Sequence, residues 1–149
     1  MKNNGTNHLK FWAFGIVLVL ADIVTKKLAS MYLQFHSFQL IPSFLTLTYV
    51  ENTGSGFGLF KNSFLFLVIV AIIALFIFAY WFSKTTSKSE RNCIILLIAG
   101  TTGNLLNRLA TGFVIDFIQV PYWPVFNVAD SYITIGAIYL IIIYLFQKE

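Results

Sequence analysis

The run Phe64-Leu65-Phe66-Leu67-Val68-Ile69-Val70-Ala71-Ile72-Ile73-Ala74-Leu75-Phe76-Ile77-Phe78-Ala79-Tyr80-Trp81-Phe82 decides the fold. It contains no charge, and as an α-helix it would be about 28 Å long at the usual rise per residue. That length matches the hydrocarbon core of a bilayer. Three further segments are read against it. Phe11–Ala21 is apolar, is interrupted by Asp22 and Lys26-Lys27, and resumes through Leu28–Leu33. Asn92–Asn107 is shorter and carries Gly100, Thr101, Thr102, Gly103 and Asn104 in its second half. Ser131–Phe146 is uncharged and rich in Ile and Tyr. The last two are marginal alone and need flanking residues, or protein neighbours at their polar ends, to be stable in lipid.

Composition agrees with membrane residence. Hydrophobic residues make up 58% of the 149-residue chain and charged residues 11%, with mean hydropathy +0.78. Too little polar surface remains to cover a soluble core. The expectation is an all-α membrane protein of one domain, residues 1–149, with four transmembrane helices at about 11–33, 63–83, 92–109 and 131–147. The net charge of +4 comes from scattered basic residues, which argues against a nucleic-acid surface. Cys93 is the only cysteine, so no intrachain disulfide can form. The first segment is read as a retained helix rather than a signal peptide, because Asp22, Lys26 and Lys27 spoil the region before Ala29-Ser30.

With four spans both ends of the chain fall on one side. That side holds Lys2, Lys10, Lys84, Lys88, Arg91 and Lys148, and the other holds Lys26, Lys27, Lys61 and Arg108. The excess places both termini in the cytoplasm. Residues 34–62 then form an outer region with a small extracytoplasmic β-sheet. Leu45-Thr46-Leu47-Thr48-Tyr49 alternates apolar and polar as a half-buried strand does, and Pro42-Ser43 marks a turn after a short strand at Phe38–Ile41. The following Glu51-Asn52-Thr53-Gly54-Ser55-Gly56-Phe57-Gly58 suits either an ordinary flexible loop or close backbone approach to an extended peptide.

Carboxylates at a membrane border need a reason to be there. Asp22 and Lys26 are one helical turn apart and can form an ion pair, structural or functional. Asn104 and Arg108 repeat that spacing, although Arg108 could also snorkel to the interface. Asp130 precedes Ser131-Tyr132-Ile133 and would serve as an N-cap or first-turn residue of the fourth helix. Asp116 lies in the apolar run Val114–Ile118 and has no such explanation. Two carboxylates close together in a low dielectric share a proton. One can then activate water while the other protonates a leaving amine. No HExxH motif is present, and His8 and His36 fall on opposite sides, so no metal site and no cofactor are expected.

Five stretches, in order, carry a resemblance to a known family. They are Asp22-Ile23-Val24-Thr25-Lys26, Glu51–Gly58, Gly103-Asn104-Leu105-Leu106-Asn107-Arg108, Val114-Ile115-Asp116-Phe117 and Phe126-Asn127-Val128-Ala129-Asp130-Ser131. Over nearly its full length the chain resembles bacterial lipoprotein signal peptidase (signal peptidase II). The resemblance implies an aspartic endopeptidase of the bacterial cytoplasmic (inner) membrane, acting near its outer face. Such enzymes cut prolipoproteins just before a diacylglyceryl-modified cysteine. It implies Asp116 and Asp130 as catalytic residues. Asn52, Gly54, Asn104, Arg108 and Asn127, with Asp22 and Lys26, would line or support the substrate site. Expected partners are lipidated prolipoproteins, membrane lipids and globomycin-type inhibitors. Departures from the family pattern are Gly56 where Ala is usual, Asn107 where Asp commonly precedes the arginine, and a short Asp116–Asp130 loop. A small proton- or cation-coupled transporter subunit, using Asp22, Asp116 and Asp130 as ion sites, is the competing reading.

Overall fold

A computed structural model describes residues 4–54, 60 and 62–146. The elements are α1 (Asn4–Tyr32), β1 (Phe38–Ile41), β2 (Leu45–Asn52), α2 (Phe64–Lys84), α3 (Lys88–Thr111), β3 (Val114–Gln119) and α4 (Val128–Phe146). Four helical segments, His8–Tyr32, Phe64–Lys84, Lys88–Thr111 and Val128–Phe146, are long and apolar enough to cross a membrane. In the glycine stretch, residues 55–59 with Gly56 and Gly58 lie outside the described residues, as do Lys2, Lys61 and Lys148.

The third segment is the most polar of the four, and it is the one the others surround. α3 packs against α1, α2 and α4, and half of its span is buried against 11% for α1 and α2. Polar residues are tolerated in α3 because they face protein rather than lipid. Its small residues allow that closeness. A Cβ added at Gly100 would lie 2.4 Å from the Ala129 carbonyl oxygen, and one at Gly136 of α4 would lie 2.9 Å from that of Cys93. The end of α3 nearest Lys88 is apolar: Ile94 and Ile95 are fully buried beside Phe82, Cys93, Leu97, Leu140 and Ile143.

The ends of α3 are fixed by local chemistry. Ser87 caps the start, its hydroxyl accepting from the Glu90 N–H. Gly112 closes the other end at φ +87, a left-handed conformation glycine adopts without strain, with its N–H donating to the Arg108 carbonyl.

The chain then enters β3, which the sequence pattern did not reveal as a strand. Val114, Ile115, Asp116 and Phe117 are all buried, so the run lacks the two-residue alternation of a half-exposed strand. Its pairing partner, β2, is far away in sequence. β1, β2 and β3 form an antiparallel sheet in that order. The β1–β2 turn occurs at the expected Pro42-Ser43, with Ser43 at φ 59, and β2 continues past Tyr49 to Asn52. In the β2–β3 register Val50 faces Asp116 and Asn52 faces Val114. The sheet thus brings residues 38–52 and Asp116 to the same end of the bundle as the polar half of α3.

Candidate active site

Asp116 is 2% exposed and held from two sides. Asn52 Nδ2 donates to its Oδ2 at 2.8 Å, and Asn127 Nδ2 donates to its Oδ1 at 2.7 Å. One donor comes from β2, the other from the residue just before α4. β3 is held beside them at its neighbouring residue, where the Ile115 N–H donates to Asn107 Oδ1 at 2.7 Å. Asn107, the departure noted in the sequence, is therefore an acceptor for the strand carrying Asp116.

Asp130 lies in the first turn of α4 and forms a reciprocal pair with Asn127, the residue at the cap position. The Asp130 N–H donates to Asn127 Oδ1 at 3.0 Å, and the Asn127 N–H donates to Asp130 Oδ2 at 3.1 Å. This is a capping box with aspartate at the third helical position. The other carboxylate oxygen of Asp130 accepts from Asn104 Nδ2 at 2.8 Å. Capping and a role in the cavity are compatible, because each uses a different oxygen. Asn127 is the joint of the arrangement: fully buried, its amide oxygen serves Asp130 and its amide nitrogen serves Asp116.

Beneath this lies an ion pair. Lys26 Nζ donates to Asp22 Oδ2 at 2.7 Å and to Asn104 Oδ1 at 2.8 Å. Asp22 Oδ1 accepts the Ala129 N–H at the start of α4 at 3.0 Å. Asn104 Oδ1 also accepts from Asn127 Nδ2 at 3.1 Å. α1, α3 and α4 are thereby locked together around one set of buried polar atoms, each given a partner as burial requires. Gly103 makes room for it, since a Cβ there would lie 2.4 Å from Asp22 Oδ2. Gly103 thus permits the close helix approach that a glycine at this level of the third span suggests, whereas nothing in its motif reveals Asn107 as an acceptor for the Ile115 N–H. That bond joins α3 to β3 and depends on their packing in the fold.

An open cavity of about 430 Å³ sits over the two aspartates. Asn52, Gly54, Asn104, Arg108, Asp116 and Asp130 supply its polar surface, and Leu67, Val70, Ala71 and Ala74 of α2 supply an apolar wall. Arg108 donates through Nη2 to the Gly54 carbonyl at 2.9 Å, and its buried Nε has no partner among the described residues. Gly54 is fixed further by its N–H, which donates to Asn52 Oδ1 at 2.9 Å. Asp22 and Lys26 do not line the cavity. Their bonds go to the protein, so they brace its walls.

The electrostatics set Asp116 apart from an ordinary surface carboxylate. Burial, and then the nearby charge of Asp130, push its pKa from 3.8 up to about 6, against the opposing hydrogen bonds from Asn52 and Asn127. A carboxyl that titrates near neutrality can both hold and release a proton. Two carboxyls, an apolar wall and an unpaired buried donor in one cleft make acid–base hydrolysis of a bound amide chemically reasonable.

A family model described as Signal peptidase (SPase) II matches residues 14–146. A lipoprotein signal peptidase of Caldanaerobacter subterraneus subsp. tengcongensis is 40% identical over 126 residues, covering 83% of this chain and 87% of the relative. One from Syntrophomonas wolfei subsp. wolfei is 37% identical over 143 residues, covering 95% and 96%. Two solved structures, each described as a bacterial membrane enzyme structure by the in meso method, at 2.3 and 1.9 Å resolution, superpose with TM-scores of 0.88 and 0.85. They are 35% and 34% identical; the alignments cover 94% of this chain and 92% and 94% of theirs. The transporter reading finds no support among these matches. A bundle of four membrane helices with a three-stranded sheet at one end, carrying this cluster and these relatives, belongs to the signal peptidase II family, a family of bacterial membrane-embedded peptidases.

Proposed function

We propose that the chain is an aspartic endopeptidase that removes signal peptides from prolipoproteins, cutting before a diacylglyceryl-modified cysteine. The observation that carries the aspartic mechanism is Asn127, whose side-chain Nδ2 donates to the Asp116 carboxylate and whose backbone N–H donates to the Asp130 carboxylate. In this reading the pair holds one proton between them. The ionised member draws a proton from water as it attacks the scissile carbonyl, and the protonated member delivers its proton to the departing amine. Asn52 and Asn127 keep Asp116 oriented, and Asn104 does the same for Asp130. Arg108 and Gly54, bonded to each other at the cavity wall, shape the surface the peptide would lie against.

The lipid on the substrate cysteine explains the selectivity. A signal peptide in the bilayer offers few polar handles, but two acyl chains hold the cysteine at a fixed depth, with ~0.8 kcal/mol per buried CH₂. The scissile bond then reaches the aspartates by registration in the membrane rather than by tight peptide binding. The α2 wall of Leu67, Val70, Ala71 and Ala74 is the surface such a segment would run along. Globomycin-type inhibitors would occupy the same cavity. A purified lipidated precursor, followed by gel shift, should be cut far faster than its unmodified form at equal membrane occupancy. Equal rates would refute the registration argument.

The orientation belongs to the same proposal: inner membrane, both termini cytoplasmic, aspartates near the outer face. The positive-inside bias supports it. A cysteine introduced at Ser87 should be shielded from an impermeant external reagent, and one at Ser43 on the exposed hairpin should react. The reverse pattern would invert the topology.

A further inference from the structure

At the end of the bundle opposite the aspartates lies a second cavity, of about 410 Å³, between the start of α1 and the α2–α3 connection. It is lined by Lys10, Phe11, Phe14, Thr86, Lys88, Arg91 and Asn92. Three of these seven are cations and none is an acid. Among the described residues neither Lys10 nor Lys88 pairs with a carboxylate. The nearest acid in sequence, Glu90, is hydrogen-bonded by the Thr85 hydroxyl.

Arg91 is built in rather than draped over the surface. Its Nε and Nη2 donate to the Thr85 carbonyl at 3.0 and 2.8 Å, and its guanidinium lies 5.6 Å from the centroid of the Phe82 ring. Phe82 is itself buried, with the rings of His8, Phe11 and Trp12 packed around it at 5.1 to 5.8 Å. The guanidinium is thus oriented before any ligand arrives, which lowers the entropic cost of binding. α3 also begins here, and its N-terminus adds positive partial charge.

The depth identifies the occupant. Lys10 lies near the beginning of the first membrane span and Lys88 is the first residue of the third, so the cations sit at headgroup level. From Lys10, Phe14 and Val17 follow on the same helix face, both exposed, along the direction an acyl chain would take into the bilayer. We infer that this cavity binds the phosphate of an anionic phospholipid headgroup, with Lys10, Lys88 and Arg91 around the phosphate and Phe14 against the lipid chain. It is a site separate from the peptidase cavity, and it ties α1 to the α2–α3 hairpin through a lipid.

The test uses the purified full chain in nanodiscs holding equal amounts of phosphatidylglycerol and phosphatidylcholine, with retained lipids counted by native mass spectrometry. Phosphatidylglycerol should be retained on the order of ten-fold over phosphatidylcholine. Lys10→Gln and Lys88→Gln, both on exposed side chains, should each lower that preference roughly five-fold. Lys84→Gln removes a charge at the same end but outside the cavity, and should lower it by less than about two-fold. No preference in the parent protein, or an equal loss with Lys84→Gln, would overturn the assignment. So would displacement of the lipid by millimolar inorganic phosphate, which would mark a site for soluble anions.

Discussion

At one end of α3, Ile94 and Ile95 are completely buried among Phe82, Cys93, Leu140 and Ile143. At the other, Asn104 and Arg108 of the same helix meet Asp22, Lys26, Asp116, Asn127 and Asp130. The apolar end is held by packing, and any well-fitting apolar set would serve. The polar end is held by hydrogen bonds whose donors and acceptors must match one by one, since in this environment an unmatched group is costly. The apolar end can therefore vary with modest loss, whereas the polar end tolerates little and is where we place the chemistry.

The sharpest way to break this contrast is to remove one carboxyl. Asp116→Asn and Asp130→Asn should each lower cleavage of a lipidated precursor on the order of 10³-fold, with the protein still inserted and folded by circular dichroism. If Asp130→Asn kept most activity, Asp130 would be a helix cap and nothing more. At the other end, Ile94→Ala should cost about 2 kcal/mol of stability, the lower part of the usual range. Lipid is as apolar as isoleucine, so the transfer contribution is small and only packing is lost. Its remaining folded fraction should cleave at the parent rate, as thermal denaturation and initial rates would show. A large rate loss in the folded fraction would mean that the two ends are coupled.

A smaller effect tests the support of the aspartate strand. Asn107→Leu leaves the Ile115 N–H without its acceptor, at a cost of about 1–3 kcal/mol, and should lower kcat more than it raises KM. Asn107→Asp keeps an acceptor oxygen in place and should restore the rate, which a purely steric role would not predict.

How far each end could be read from the sequence follows from the same contrast. The uncharged Phe64–Phe82 run and the apolar Ser131–Phe146 run announce membrane helices because lipid imposes a composition on whatever faces it. α3 was harder to recognise, since its polarity is explained only by the three helices around it. β1 and most of β2 showed themselves through alternation and the Pro42-Ser43 turn. β3 did not, because burial on both faces erases the alternation. Asp116 stood out as a charge in an apolar run. The dual use of Asp130 and the joining role of Asn127 depend on which oxygen faces which neighbour, and no spacing encodes that.

The central claim is that Asp116 and Asp130 form one electrostatic unit. Carboxyl ¹³C NMR of Asp116 against pH, in the parent and in Asp130→Asn, tests it most directly. The parent Asp116 should titrate at about 6. Removing the negative charge of Asp130 should lower that midpoint, because a like charge disfavours ionisation. It should remain above the ordinary 3.8, because burial, the larger cause, is untouched. A midpoint unchanged by Asp130→Asn would contradict the pairing.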